Sequence, residues 1–188
     1  VQLFNINFDI FIRTVLLTFS FLWITYLGSK LGENYLAVNT ILIQFIMLAS
    51  FFLDAYAFST EAIVGYTIGR KLKNSFLTVV SNSFKLSIFS GLIISVIYLL
   101  TFQLIVNALT NLDYLKFLAF DYIFWLIIIP PVAAICYQFD GIFIGASQTA
   151  EMRNGMIVSV IIFITSSPFL VSNLGNHGLW LSLLFFMI

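Results

Sequence analysis

Six ionisable side chains sit inside otherwise apolar stretches of the sequence: Arg13, Asp54, Glu61, Lys85, Asp121 and Asp140. A charge at the middle of a lipid-embedded helix costs about 2.5–3.5 kcal/mol on insertion scales, so such groups face a partner or a cavity. Two kinds of chemistry are open to them. The first is an ion-pair network that fixes helix packing, with Arg13 and Lys85 as the cations and Asp54 and Glu61 among the anions. The second is exchange of a proton or a small cation at a carboxylate. A carboxyl group held in low dielectric can take up and release a proton at working pH. Asp140 is the foremost candidate for that role. Asp54, Glu61 and Asp121 are further candidates for a cation or substrate cavity. Asp54 and Glu61 are seven residues apart, which puts them on one helical face, two turns apart. Asp121 and Lys85 can instead snorkel towards water.

Backbone signals add to these. Pro130-Pro131 lies in mid-stretch and removes two backbone donors, which predicts a bent or broken helix. Breaks at membrane depth are tolerated where they line a cavity or pack on protein, and in transporters they often mark substrate-lining elements. Two Gly-x-x-x-Gly spacings, Gly65 to Gly69 and Gly141 to Gly145, predict close approach of helix backbones. Cys136 reads as a small buried apolar residue, and His177 as interfacial. A single cysteine and a single histidine exclude an internal disulfide and the usual zinc sites. There is no phosphate-binding glycine loop, no Gly-x-Ser-x-Gly and no metal-ligand His pair. No catalytic residue, metal or cofactor is expected, and the chain does not read as an enzyme.

The composition says what kind of element must position these groups. Of 188 residues, 61% are hydrophobic, 18% aromatic and only 9% charged, against about 25% charged in a soluble domain. The mean hydropathy is +1.08. Eight basic residues balance eight acidic ones, which leaves no excess for a nucleic-acid partner. The expected surroundings are membrane lipid.

A helical crossing needs about 20 mostly apolar residues. Six such stretches occur, at 9–28, 35–69, 75–101, 114–146, 156–172 and from 177 onward. The second is longer than a bilayer is thick, so it must tilt or project into water. The segment 102–110 reads as a short amphipathic piece in the interface. Short loops at 28–34 and 172–176 imply antiparallel neighbours. The expected fold class is therefore all-α, a polytopic membrane bundle of six transmembrane helices. The first stretch is too long for a signal peptide. The chain begins at Val1 and ends at Ile188 within an apolar run, so a piece of a longer protein is expected. Arg13, Arg70, Lys71, Lys73 and Arg153 fall on one side of the membrane and only Lys30 and Lys116 on the other, which makes the first side cytoplasmic.

Several strings resemble one family. Asn7-Phe8-Asp9-Ile10-Phe11-Ile12-Arg13-Thr14 resembles the N-R-D-I-x-x-R-(S/T) start of the seventh helix in DinF-type multidrug and toxic compound extrusion (MATE) transporters, with Phe8 where that pattern has Arg. Leu53-Asp54-Ala55-Tyr56-Ala57-Phe58-Ser59-Thr60-Glu61-Ala62, followed by Gly65 and Ile68-Gly69-Arg70, is similar to the eighth helix. Asp140-Gly141-Ile142-Phe143-Ile144-Gly145-Ala146, followed by Glu151-Met152-Arg153-Asn154, resembles the end of the tenth. Gly175-Asn176-His177-Gly178-Leu179-Trp180 resembles the start of the twelfth.

The resemblance implies a twelve-helix fold of two lobes. Residues 1–188 would be the C-terminal lobe, helices seven to twelve with the last truncated, and the N-terminal lobe would be absent. It also implies secondary active efflux: export of cationic or amphipathic compounds from a cavity between the lobes, in exchange for protons or sodium. The implied partners are the missing N-terminal lobe and a small-molecule substrate. The implied location is the bacterial inner membrane. In related members a tenth-helix carboxylate takes part in cation coupling, and that position falls on Asp140. The leading coupling group of the DinF-type branch, a first-helix aspartate, lies outside this stretch. A lipid-linked sugar flippase of the same superfamily and a non-transporting membrane scaffold are the alternatives. Flippase cavities are lined by several cations, and here only Arg13 and Lys85 could serve.

Overall fold

Long apolar runs in lipid have no water to satisfy their backbone polar groups, so they must bond within themselves as helices. The computed structural model, which describes residues 2–188, has seven helices and no strand among the described residues. They are α1 (Gln2–Leu31), α2 (Glu33–Gly69), α3 (Lys73–Leu109), α4 (Asp113–Phe120), α5 (Ile123–Gly145), α6 (Thr149–Leu174) and α7 (Asn176–Phe186). Five of these, α1, α2, α3, α5 and α6, are long and apolar enough to cross a membrane. The sixth expected span corresponds to α7, which is apolar but has 11 residues, about 16 Å of helix. α2 and α3 have 37 residues each. That is about 55 Å of helix against about 30 Å of hydrocarbon, so both must tilt or project beyond it.

Several boundaries differ from the sequence reading, each for a local reason. α3 continues through 102–110, because Phe102 and Val106 are buried at 1% exposure. Phe102 packs against Phe45 and Phe120, with ring centroids 5.6 and 5.0 Å apart. The segment is part of the core and not an interfacial piece. The stretch 114–146 is two helices, because Asp121 and Tyr122 turn the chain between α4 and α5. The expected loops at 28–34 and 172–176 shrink to single glycines, Gly32 (φ 118°) and Gly175 (φ 56°). These φ values suit a residue without Cβ.

Pro130 and Pro131 do not break their helix; α5 is helical throughout. Pro131 has no N–H to offer the Ile127 carbonyl four residues back. The Ser95 hydroxyl on α3 donates to that carbonyl instead, at 2.6 Å. Gly91 makes the approach possible, since a Cβ there would lie 2.8 Å from Pro131 Cα. The neighbouring helix thus replaces the bond that the proline removes.

The helices pack in two groups. α5 packs most extensively on α3 and α2, which also pack on each other, while α6 packs on α7 and α1. α2 and α5 run parallel, with Gly141 against the backbone of Ala57 and Gly145 against that of Glu61 one turn later. A Cβ on Gly145 would lie 2.5 Å from the Glu61 carbonyl oxygen, whereas one on Gly69 would meet nothing within 4 Å. Of the two glycine spacings, only the second brings backbones together along its whole length.

α2 and α5 also end alike. Leu72 N–H bonds to the Thr67 carbonyl and Gln148 N–H to the Phe143 carbonyl, at 2.9 and 2.8 Å. Lys71 (φ 58°) and Ser147 (φ 56°) take the left-handed position of this helix-terminating motif. At the other end of the bundle, Asn39 and Asn176 exchange hydrogen bonds of 2.7 and 2.9 Å, and Trp180 donates to Asn39 at 2.9 Å. His177 is exposed there, and its Nδ1 accepts from Trp125 at 3.1 Å. The outward faces bear Phe11, Phe51, Leu100, Leu104 and Phe169, an apolar exterior suited to lipid.

Candidate functional site

A cavity of about 450 Å³ lies where α1, α5, α6 and α7 meet, with Ile46 of α2 also in its wall. Its walls are mostly apolar, with Leu17 and Phe21 from α1, Ile135 from α5, Met156 from α6 and Leu183 from α7. Three charged side chains, Arg13, Asp140 and Glu151, line it as well. Cys136 is also in the wall and is half-buried rather than enclosed.

Arg13 and Asp140 form a two-pronged ion pair. Arg13 Nε donates to Asp140 Oδ1 at 3.2 Å, and Nη2 bonds to Oδ2. Each side chain is 18% exposed. The planar guanidinium fork fits a carboxylate in this way, which adds direction to the charge attraction. Removing one partner would leave the other charged in a largely apolar wall, where breaking a buried pair costs about 3–5 kcal/mol.

Asp54 stands beside this pair without joining it, and it is not among the residues that line the cavity. The contact of Gly141 with Ala57 sets the height of α5 on α2. Asp140 precedes Gly141, and Asp54 is one turn before Ala57, so the two carboxylates are at similar depth. Asp54 is half-buried and within Coulombic range of both Arg13 and Asp140. It forms no ion pair among the described residues.

The other candidates are dispersed. Glu61 is half-buried, and its backbone serves as the seat for Gly145. Lys85 is exposed on α3 and makes no ion pair among the described residues, so it does not act as the structural cation expected of it. Asp121 is exposed in the turn between α4 and α5, outside the cavity. Pro130 and Pro131 also lie outside it, since the α5 wall begins at Val132.

A second ion pair escaped the sequence reading. Asp9 on α1 is 6% exposed. It accepts from Arg153 at 2.5 Å and from the Thr149 hydroxyl at 2.9 Å, both on the first turns of α6. In sequence, Arg153 served only as an orientation marker and Asp9 as the start of a span. The available signal was that both mark the same membrane face.

The comparisons with known proteins bear on this arrangement. The profile of the MatE family matches residues 10–171, most of the chain. The chain belongs to the MatE family. MatE proteins are membrane transporters rather than enzymes, which agrees with the apolar bundle. Among curated relatives, the chain is 37% identical to DNA damage-inducible protein F of Escherichia coli (strain K12), over 99% of its own length and 40% of that protein's. It is 23% identical to Protein DETOXIFICATION 42 of Arabidopsis thaliana, over 96% of the chain and 35% of that protein. This MatE chain thus spans two-fifths or less of the relatives it matches. No solved structure gives a significant match.

Proposed function

We propose that the chain is one lobe of a secondary active efflux transporter of the bacterial inner membrane, exporting cationic or amphipathic compounds in exchange for protons or sodium. The supporting observation is the cavity itself, in which apolar walls from five helices surround a charged corner at Arg13 and Asp140. An amphipathic cation needs an apolar surface for its body, which the cavity offers, and a carboxylate within reach for its charge. The partner lobe would be the N-terminal half of the same polypeptide and would close the cavity from the other side.

Exchange follows from competition. A proton or sodium ion that neutralises a carboxylate lowers its affinity for a cationic substrate, so each ligand biases the same equilibrium between states in opposite senses. The full-length protein, reconstituted in liposomes loaded with ethidium, should release the dye when an inward proton or sodium gradient is imposed. Release no faster than from protein-free liposomes under either gradient would reject the proposal.

A further inference from the structure

Arg13 is the guanidinium within Coulombic range of both Asp140 and Asp54, and it is already committed. Both oxygens of Asp140 are engaged by Arg13. A cation tethered to the protein competes at a high effective concentration that a free ion or substrate must exceed. Asp140 is therefore ill placed to exchange its counter-charge.

Asp54 has the opposite situation. It is at similar depth, half-buried, and within Coulombic range of the pair, yet it bonds to no cation among the described residues. The charged and titratable groups around it are Arg13 from α1, Asp140 and Tyr137 from α5, and Glu61 two turns along its own helix. Within the trio of Arg13, Asp140 and Asp54, one negative charge is left over, and it resides on Asp54. An uncompensated charge out of water is costly, so this is where a mobile cation gains most by binding.

We infer that Asp54, and not Asp140, is the carboxylate of this lobe that exchanges a single positive charge, whether a proton, a sodium ion or a monovalent organic cation. Arg13 is a positioning residue that keeps Asp140 ionised and occupied. This assignment rests on the transporter reading and names the group that would perform its exchange.

The test is modification of the full-length protein in membranes by dicyclohexylcarbodiimide, read by peptide mass spectrometry. The reagent takes a proton from a protonated carboxyl onto nitrogen, and the carboxylate adds to its central carbon, leaving a stable adduct. A carboxylate locked to a guanidinium does not react. In the wild type the adduct should form on Asp54 and not on Asp140. It should be lost as pH rises, or when sodium or tetraphenylphosphonium is added. Arg13→Gln should bring a new adduct onto Asp140.

A wild-type adduct on Asp140 with Asp54 unmodified would overturn the assignment. So would an R13Q protein whose Asp140 stays unmodified. The labelling needs no transport, so the two readings fail separately. An Asp54 adduct in a protein that moves no dye would remove the efflux reading and support the charge assignment. Dye exchange without an Asp54 adduct would do the reverse.

Discussion

Arg13 and Asp140 are 127 residues apart in sequence and lie side by side in one cavity wall, joined at both oxygens of the carboxylate. The pair ties the first helix to the fifth where few apolar contacts do so. Arg13→Gln or Asp140→Asn alone should destabilise the full-length protein in detergent by about 3 kcal/mol, because the remaining charge loses its partner. The exchanged pair R13D/D140R should recover much of that loss. Thermal unfolding of the wild type, R13Q, D140N and R13Q/D140N gives the coupling energy, and a value near zero would show that the pair is incidental.

Transport should respond differently from stability. In D140N the freed guanidinium is left beside Asp54 and can quench it, so gradient-driven dye release per reconstituted protein should fall steeply. Adding R13Q to D140N removes the guanidinium and should return part of the rate. If the double variant is as inactive as D140N, Asp54 does not work as argued.

Ser95 offers a test of how α5 tolerates its prolines. Ser95→Ala leaves the Ile127 carbonyl without its donor and should cost about 1–2 kcal/mol. Pro131→Ala supplies a backbone N–H to the same carbonyl, so the S95A change should cost less in a P131A background. Equal costs in both backgrounds would mean that the hydroxyl does not compensate for the proline.

The glycine contacts predict a sharp contrast. A Cβ at Gly145 would press on the Glu61 backbone at 2.5 Å, whereas one at Gly69 meets nothing within 4 Å. Gly145→Ala should lower stability by about 1–3 kcal/mol through overpacking. Gly69→Ala should be close to neutral. Comparable melting temperatures for the two variants would contradict the parallel contact of α2 and α5.

The Asp9 cluster should matter locally. Asp9→Asn removes the charge that Arg153 and Thr149 share and should speed hydrogen exchange over the first turns of α6. Thr149→Val removes one neutral donor and should cost about 1 kcal/mol. Unaltered exchange in D9N would show that α6 begins without help from α1.

How far the sequence alone reaches depends on the range of the physics involved. The long apolar runs announced α1, α2, α3, α5 and α6, because helix formation in lipid needs only local hydrophobicity and length. The depth of Asp54 and Asp140 could be counted along their helices. What could not be read locally was which cation faces which acid. Arg13 and Lys85 look alike in sequence, yet one turns inward to Asp140 and the other outward on α3.

The prolines misled for a related reason. Their missing donors are local, but the Ser95 hydroxyl that makes up for one is on another helix. The segment 102–110 looked interfacial because its burial against Phe45 and Phe120 is a tertiary matter. The turn at Asp121 had no glycine or proline to announce it.

The two helix groups have a mechanical consequence. Glycine at 91, 141 and 145 locks α2, α3 and α5 backbone to backbone, so they form one rigid block, with α1, α6 and α7 as a second block against it. At one end of the bundle the joint is crossed by neutral ties, Asn39 to Asn176 and Trp125 to His177. Deeper in, it is crossed by the charged clasp of Arg13 on Asp140. Water that reaches the clasp weakens its charge attraction, while the neutral ties carry no net charge to screen. The blocks are therefore built to pivot about the end that holds the neutral ties and to part from the end nearer the charged clasp.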